Sequence, residues 1–309
     1  MKALVTGGNG FLGRHVVAAL RAAGASVRVL DLVRRDGPPG VEQLTADLLA
    51  SDGLEAAFAG VDVLVHLAAS MRGAEEEMIR NTVEGSRRLF EAMARTPTSR
   101  VVLASSFSVY DWSKVGDSLD ERDATLDPAT ARAYDGYAQA KTLQEGLTRE
   151  FAERHGWTLT VLRPAVLWGH GVWGEFLIGR RLGPVQTVVA PRAPIRLVYV
   201  ENAADAFVRA AERSDGGECI LNLIDPPEVT TWRYAGIVRR HLGGIRLPLP
   251  YLLGLAAARL AAVLLGRPPT FEALHKPVRC SSEHARSALG WTPRFGFDEA
   301  LARVESPHA

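Results

Sequence analysis

The chain has 309 residues, 47% of them hydrophobic and 23% charged, which excludes a disordered chain, a fibrous repeat and a disulfide-stapled miniprotein. Its 36 Lys+Arg against 35 Asp+Glu leave a formal net charge of +1, so nothing electrostatic favours nucleic acid as a partner. Aromatics are scarce at 7%, while 29 Gly and 17 Pro suit many tight strand–helix connections.

In chain order, residues 2–6 read as a strand, 11–23 as a helix, and 26–30, 63–67 and 101–104 as further strands. Between the last two, residues 75–95 place Met78, Val83, Leu89, Phe90 and Met93 at helical spacing. Residues 159–162 extend the same sheet after another helix. Strands apolar throughout and separated by helices predict a doubly wound α/β domain with a parallel sheet covered on both faces. From about Leu167 the pattern loosens, with Gly169, Gly171, Gly174, Gly183 and several prolines; 232–242 and 251–265 then read as helices. This predicts a cofactor domain over 1–166 and a smaller lobe over 167–309, interleaved with the main sheet. The apolar run 250–265 is expected to be a buried amphipathic helix, or else part of an apolar substrate lobe. It is broken by Gly254 and Arg259 and is shorter than the ~20 residues of a membrane span. No secretory h-region follows the first residues, so a cytoplasmic location is expected. Cys219 and Cys280 have no metal-like spacing, and Cys219 reads as buried filler.

The first strand runs into Thr6-Gly7-Gly8-Asn9-Gly10-Phe11-Leu12-Gly13 and then a helix. Gly7 permits a sharp turn, Gly10 lets the backbone approach a pyrophosphate, and Gly13 lets the helix pack on the sheet. The helix N-terminus offers its amides to the anion. Asp31, at the end of the second strand, can accept both ribose hydroxyls of NAD; Arg34 and Arg35 nearby keep NADP open. Asp47-Leu48 closes the third strand and His66-Leu67-Ala68-Ala69 the fourth, where small residues let a cofactor lie against the sheet. Asp47 can meet the adenine amino group or be a solvated loop carboxylate. His66 reads as a packed or capping side chain.

The fifth strand ends in Ser105-Ser106, with Tyr110 four residues beyond Ser106. Further on, Tyr137 and Lys141 share one helix face. A phenol with a pKa near ~10 needs a neighbouring ammonium to work at neutral pH. Ser106 can hydrogen-bond a substrate oxygen. Tyr134 is a rival phenol without a lysine four residues on.

These motifs, with Asn81-x-x-x-Gly85, Leu162-Arg163-Pro164, Val198-Tyr199-Val200-Glu201-Asn202 and Leu289-Gly290-Trp291, resemble the extended short-chain dehydrogenase/reductase family of NAD-dependent epimerases and dehydratases. The resemblance spans nearly the whole chain. It implies a Rossmann sheet with a small C-terminal substrate lobe, Tyr137 as acid/base, and Lys141 on the nicotinamide ribose while lowering the tyrosine pKa. By the same resemblance Ser106 would polarise the carbonyl. Gly7, Gly10, Phe11, Leu12, Gly13, Asp31, Asp47, Leu48, Leu67, Ala68, Ala69 and Pro164 join Tyr137 and Lys141 around the cofactor. Ser106, Asn81 and Trp168 fall on the substrate side, and a homodimer through a four-helix bundle is implied. The chain departs from the sugar-nucleotide epimerases in lacking an asparagine after Arg163, in Tyr110-Asp111, and in Gly136 where the family has proline. Leu-Arg-Pro and Val-Glu-Asn look more like the hydroxysteroid and flavanol branches. The implied reaction is hydride transfer at a secondary alcohol or ketone, an apolar one slightly favoured. An NDP-sugar epimerase, dehydratase or ketoreductase is the alternative, and a non-catalytic NAD(P) sensor a third.

Overall fold

The structure is a computed structural model that describes residues 1–35, 37–50, 52–71, 73–132, 135–226, 229–265 and 270–306. The chain begins with β1 (Lys2–Thr6), α1 (Phe11–Ala22), β2 (Ser26–Asp31), β3 (Glu42–Thr45), β4 (Val63–His66) and α2 (Glu75–Met93). It continues through β5 (Arg100–Ala104), β6 (Ser118–Leu119), α3 (Pro128–Arg132), α4 (Gly136–His155), β7 (Thr158–Pro164) and β8 (Val166–Trp168). Next come β9 (Arg181–Leu182), β10 (Val185–Val189), β11 (Leu197–Tyr199), α5 (Val200–Glu212), β12 (Glu218–Leu223) and α6 (Thr231–Leu242). It closes with β13 (Ile245–Leu249), α7 (Tyr251–Leu265), α8 (Phe271–His275), β14 (Arg279–Cys280), α9 (Glu283–Leu289) and α10 (Phe297–Glu305).

Among the described residues, seven parallel strands form the central sheet in the order β12-β7-β5-β4-β1-β2-β3. Alternation along each strand sorts the side chains into two cores. Ala3, Val5, Val63, Val65 and Val102 meet Val16, Leu20, Ala203 and Phe207 of α1 and α5 on one face. Leu4, Leu64, Val101 and Leu103 meet Leu89, Phe90, Leu147 and Phe151 of α2 and α4 on the other. A strand buried on both faces needs apolar residues at every position, which is why these segments show no polar alternation. The chain leaves β1 toward β2 and β3, then returns to build β4, β5, β7 and β12 on the opposite side. The direction therefore reverses between β1 and β4, where open α/β sheets hold their ligands.

After residue 166 the chain both completes this sheet, through α5 and β12, and forms a smaller sheet of order β13-β10-β9. An aromatic core supports the latter region: Trp168 stacks on Phe297 at 5.1 Å and meets Tyr199 at 5.3 Å. Cys219 is buried and Cys280 half-buried, both free thiols. β3 ends at Thr45, so Asp47 and Leu48 lie in the following turn, where Asp47 Oδ1 accepts the Leu49 amide at 2.8 Å. β3 is a partly exposed edge strand with little apolar content, so its limits leave no strong sequence signal.

The expectation of a buried amphipathic helix over 250–265 is corrected. Tyr251–Leu265 is helical, yet Leu252 is 73% exposed, Val263 82% and Leu264 73%. Gly254 packs instead, lying against Phe271 and Leu249.

One buried ion pair ties the layers together. Arg163 of β7 places Nη2 2.5 Å and Nε 3.2 Å from the Glu145 carboxylate of α4, which also accepts the Ser105 hydroxyl at 2.6 Å. The guanidinium lies 4.8 Å from the Tyr110 ring centre, and Tyr110 donates to Asn222 of β12 at 2.7 Å. Removing one partner strands the other charge, so Arg163→Met is expected to cost about 3–5 kcal/mol in urea unfolding. The double change Arg163→Met with Glu145→Leu should recover most of that; equal destabilisation by both variants would show that the loss comes from packing.

Candidate active site

The glycine turn after β1 is dictated by close contacts. A Cβ on Gly13 would sit 2.1 Å from Gly7 O, and one on Gly8 would fall 2.8 Å from Val29. Gly7 itself has φ +67°, and a Cβ there would come within 3.0 Å of the Ala68 backbone. The turn is therefore pressed against the carboxyl end of β4, with Leu67, Ala68 and Ala69 beside it. Gly10 caps helix α1 without a side-chain hydrogen bond, and the first turn holds no acidic residue. Its first amides, from Phe11 onward, suit a phosphate.

Asp31 holds this turn in place from the end of β2. Its carboxylate accepts the Asn9 amide at 2.9 Å and the Val33 amide at 3.1 Å, while the side chain remains partly exposed. Arg34 and Arg35 are exposed beyond it. Gly85 of α2 leaves room for Leu48, since a Cβ there would approach Leu48 Cβ to 3.2 Å. Pro164 is buried at the end of β7. The tight turn, the open helix amides and a carboxylate at the end of β2 are the features that NAD binding requires of such a fold.

The chemistry-bearing side chains gather at the carboxyl end of β5. Ser106 begins a short turn there, accepting the Ser108 amide at 3.1 Å. Asp135 caps α4 by accepting the Ala138 amide at 2.7 Å, which sets Tyr137 in the first turn. Ser106 lies close to the half-buried Tyr137 phenol. Burial pushes that phenol upward, Ser106 pulls it down, and the Asp135 charge raises it again. Gly136 occupies the position before the tyrosine because a Cβ there would lie 2.9 Å from Glu75, where α4 starts against α2.

Lys141 is wholly enclosed one helical turn later. Its ammonium donates to Ala104 O at 2.7 Å and to Gln144 Oε1 at 2.8 Å. Burial lowers it to about 7, with the Glu145 carboxylate pulling upward. The sequence pattern placed Lys141 beside Tyr137, but its bonds run inward, and Ser106 is the group on the phenol. Gln144 passes the connection on, reaching Ala68 O at 3.1 Å and Ser86 Oγ at 2.9 Å. His66 bridges Thr6 Oγ1 at 2.6 Å and Ser86 Oγ at 2.8 Å. Burial and the Lys141 charge hold His66 down at about 3, so it is neutral. Ser86 donates to Thr82 O at 2.6 Å, so Ser86 accepts from His66 Nε2–H, and Thr6 O–H donates to Nδ1. This assignment satisfies the Thr6, His66 and Ser86 side chains.

Gln144, Glu145, Ser86 and Thr6 were absent from the candidate residues. Their signal lay in α4, where Lys141, Gln144, Glu145 and Thr148 occupy positions that an ordinary helix fills with apolar residues. Asn81 is half-buried on α2, beside Thr82, whose hydroxyl accepts the Ser70 amide at 3.0 Å. Trp168 is fully buried in the aromatic core, so its indole presents no surface to a small molecule here. Tyr134 lies outside the described residues. Among the described residues no cluster of metal-ligating side chains occurs.

Residues 3–223 match the model of the NAD dependent epimerase/dehydratase family. The chain belongs to that family. It is 28% identical to a 4-hydroxy-2-methyl-3-oxo-4-farnesyl-3,4-dihydroquinoline-1-oxide ketoreductase of Stigmatella aurantiaca, over 97% of this chain and 95% of that protein. It is 31% identical to a 3-beta-hydroxysteroid dehydrogenase of Mycolicibacterium neoaurum, over 97% of this chain and 89% of that protein. Among solved structures, the UDP-glucose 4-epimerase of Thermus thermophilus in complex with NAD matches with a TM-score of 0.71 at 25% identity, covering 98% and 97% of the two chains. The family member described here is thus an NAD-dependent enzyme of the extended short-chain dehydrogenase/reductase superfamily.

If Asp31 accepts the ribose hydroxyls, as the sequence pattern leads one to expect, Asp31→Ala should weaken NAD binding at least about tenfold in a calorimetric titration. Asp31→Asn, which keeps an acceptor for the Asn9 amide, separates loss of the turn from loss of the ribose contact. Unchanged affinity in both variants would remove Asp31 from the cofactor site.

Proposed function

We propose that the protein is an NAD-dependent oxidoreductase acting at a secondary alcohol or ketone of an apolar molecule. The observation that carries this reading is the gathering of Ser106 and Tyr137 at the end of β5, with the enclosed Lys141 ammonium one helical turn behind them. Bound in the glycine turn, NAD supplies the acceptor for a hydride from the carbinol carbon. Tyr137 takes the hydroxyl proton, and Ser106 donates to the oxygen on which charge develops. Lys141, held by Ala104 O and Gln144, would bind the nicotinamide ribose when NAD is present. In the reverse direction Tyr137 returns the proton to a ketone oxygen.

An apolar substrate is supported by the absence of the epimerase asparagine after Arg163. It is also supported by the relatives named for a farnesylated quinoline oxide and for steroids. The likeness to a UDP-glucose epimerase favours the second reading, an NDP-sugar epimerase, dehydratase or ketoreductase. On the first reading residues 1–166 hold the cofactor, and 167–309 shape the substrate side, with Ser106 and Asn81 facing it. The enzyme works in the cytoplasm, as two copies joined through α2 and α4 in a four-helix bundle.

The test is turnover of NAD+ with hydroxysteroids and other apolar secondary alcohols, followed by NADH absorbance, in parallel with UDP-sugars. Tyr137→Phe is expected to lower kcat about 10³-fold while NAD affinity changes less than about twofold. Turnover confined to UDP-sugars would replace the substrate reading. Full activity in Tyr137→Phe would remove the acid/base assignment.

A further inference from the structure

Apart from Arg259, helix α7 is apolar around its circumference, and only one side of it is used inside the molecule. Tyr251 stacks with Phe271 at 5.8 Å, and Gly254 lies against Phe271 and Leu249. The other side carries Leu252, Leu253, Leu260, Val263 and Leu264, each between 62% and 82% exposed. Ala256 and Ala257 fill the gaps between them and are exposed too. Strand β13, at the edge of its sheet and leading directly into α7, adds Ile245 at 65% and Leu247 at 54% exposure. Apolar side chains exposed in such number mark a contact with something apolar.

The charge around it indicates what that is. Residues 176–200 contain four arginines and no carboxylate, and residues 229–271 contain six arginines and no carboxylate, in a chain whose net charge is only +1. The two segments fold on each other, because β10 pairs with β13 in parallel and α6 packs on both. Carboxylates from elsewhere meet some of these charges: Arg233 pairs with Asp298, Arg240 with Glu305 at 3.1 Å, and Arg259 with Glu272 at 3.7 Å. Arg180, Arg192, Arg239 and Arg246 make no ion pair among the described residues. Arg246 lies over the ring of Trp232 at 4.3 Å, a partly exposed aromatic–cation pair of the kind that suits a headgroup layer.

We propose that α7 and β13 dock this protein onto an anionic phospholipid surface, with the apolar face of α7 lying in the headgroup–acyl boundary and the arginines against the phosphates. Charge selects this occupant over a second copy, since self-pairing here would bring two arginine-rich regions together. The 15 residues of α7 are too few for a span, and among the described residues no helix is long and apolar enough to cross a membrane. An amphipathic arrangement built from an apolar helix and surrounding cations is instead that of an element lying in the interface plane. The inference stands independently of which substrate the enzyme takes.

The test is sedimentation of the full chain with vesicles of phosphatidylcholine alone and of phosphatidylcholine mixed with phosphatidylglycerol. The chain is expected to sediment with the anionic vesicles and to be released as salt is raised. The double variant Leu260→Asp, Val263→Asp should lower partitioning at least about tenfold, with NAD affinity and thermal unfolding unchanged. Arg239→Glu should weaken only the salt-sensitive part of binding. The proposal is overturned if the wild-type chain stays in the supernatant with both vesicles, or if the double variant sediments like the wild type. It is equally overturned if the wild type forms concentration-dependent dimers that the double variant abolishes while neither binds vesicles.

Discussion

Helix α4 carries Lys141, Gln144, Glu145 and Thr148 into the interior, and the active site depends on every one of them finding a partner there. An unpartnered polar group at such depth costs more than the net gain of a typical hydrogen bond, and an unpartnered charge more still. Glu145 is met by Arg163 and Ser105, Thr148 by the carbonyl of Gln144 at 2.7 Å, and Lys141 by Ala104 O and Gln144. These partners belong to β5, β7 and α4 itself, so the helix has one satisfactory seating on the sheet. That seating fixes where Tyr137 meets Ser106.

The same polar row reaches the cofactor turn. Gln144 bonds Ala68 O, the Ala68 amide donates to Thr6 Oγ1 at 3.3 Å, and Thr6 is the residue before Gly7. The two halves of the site are therefore connected through buried hydrogen bonds of fixed polarity, from the Lys141 ammonium to the start of the glycine turn. Burial weakens the charge on Lys141, and Glu145, itself held by Arg163, limits how far it falls. Electrostatics and packing here are one device: the pair that anchors α4 also tunes the lysine beside it.

The parts that chemistry fixes at set spacings were legible in the sequence. Gly7, Gly10 and Gly13 follow from contacts that forbid a Cβ or favour a close approach, and Tyr137 and Lys141 from one helix face. The major strands were legible because burial on both sides demands apolar residues throughout. Gln144 and Glu145 escaped because polar residues on a helix ordinarily mark its solvent side, and only the docked sheet shows that this stripe faces inward. Trp168 was read from its place in a motif, whereas its surroundings, Tyr199, Tyr234 and Phe297, come from distant segments. α7 was misread for a related reason: apolar content indicates that a surface is to be covered, and local sequence does not say by what.

The central claim is that docking of α4 holds Lys141 as a buried group poised near neutrality. Of the side chains Lys2, Lys114, Lys141 and Lys276, one should stand apart in a 13C NMR titration of lysine-labelled protein. The signal that disappears in Lys141→Arg is expected to titrate near pH 7, with the ammonium present below that value and the amine above it. Gln144→Leu, which removes an acceptor from the ammonium, should move that midpoint lower. If the Lys141 signal titrates above about pH 10, in the ordinary lysine range, the account of a buried and tuned ammonium is contradicted.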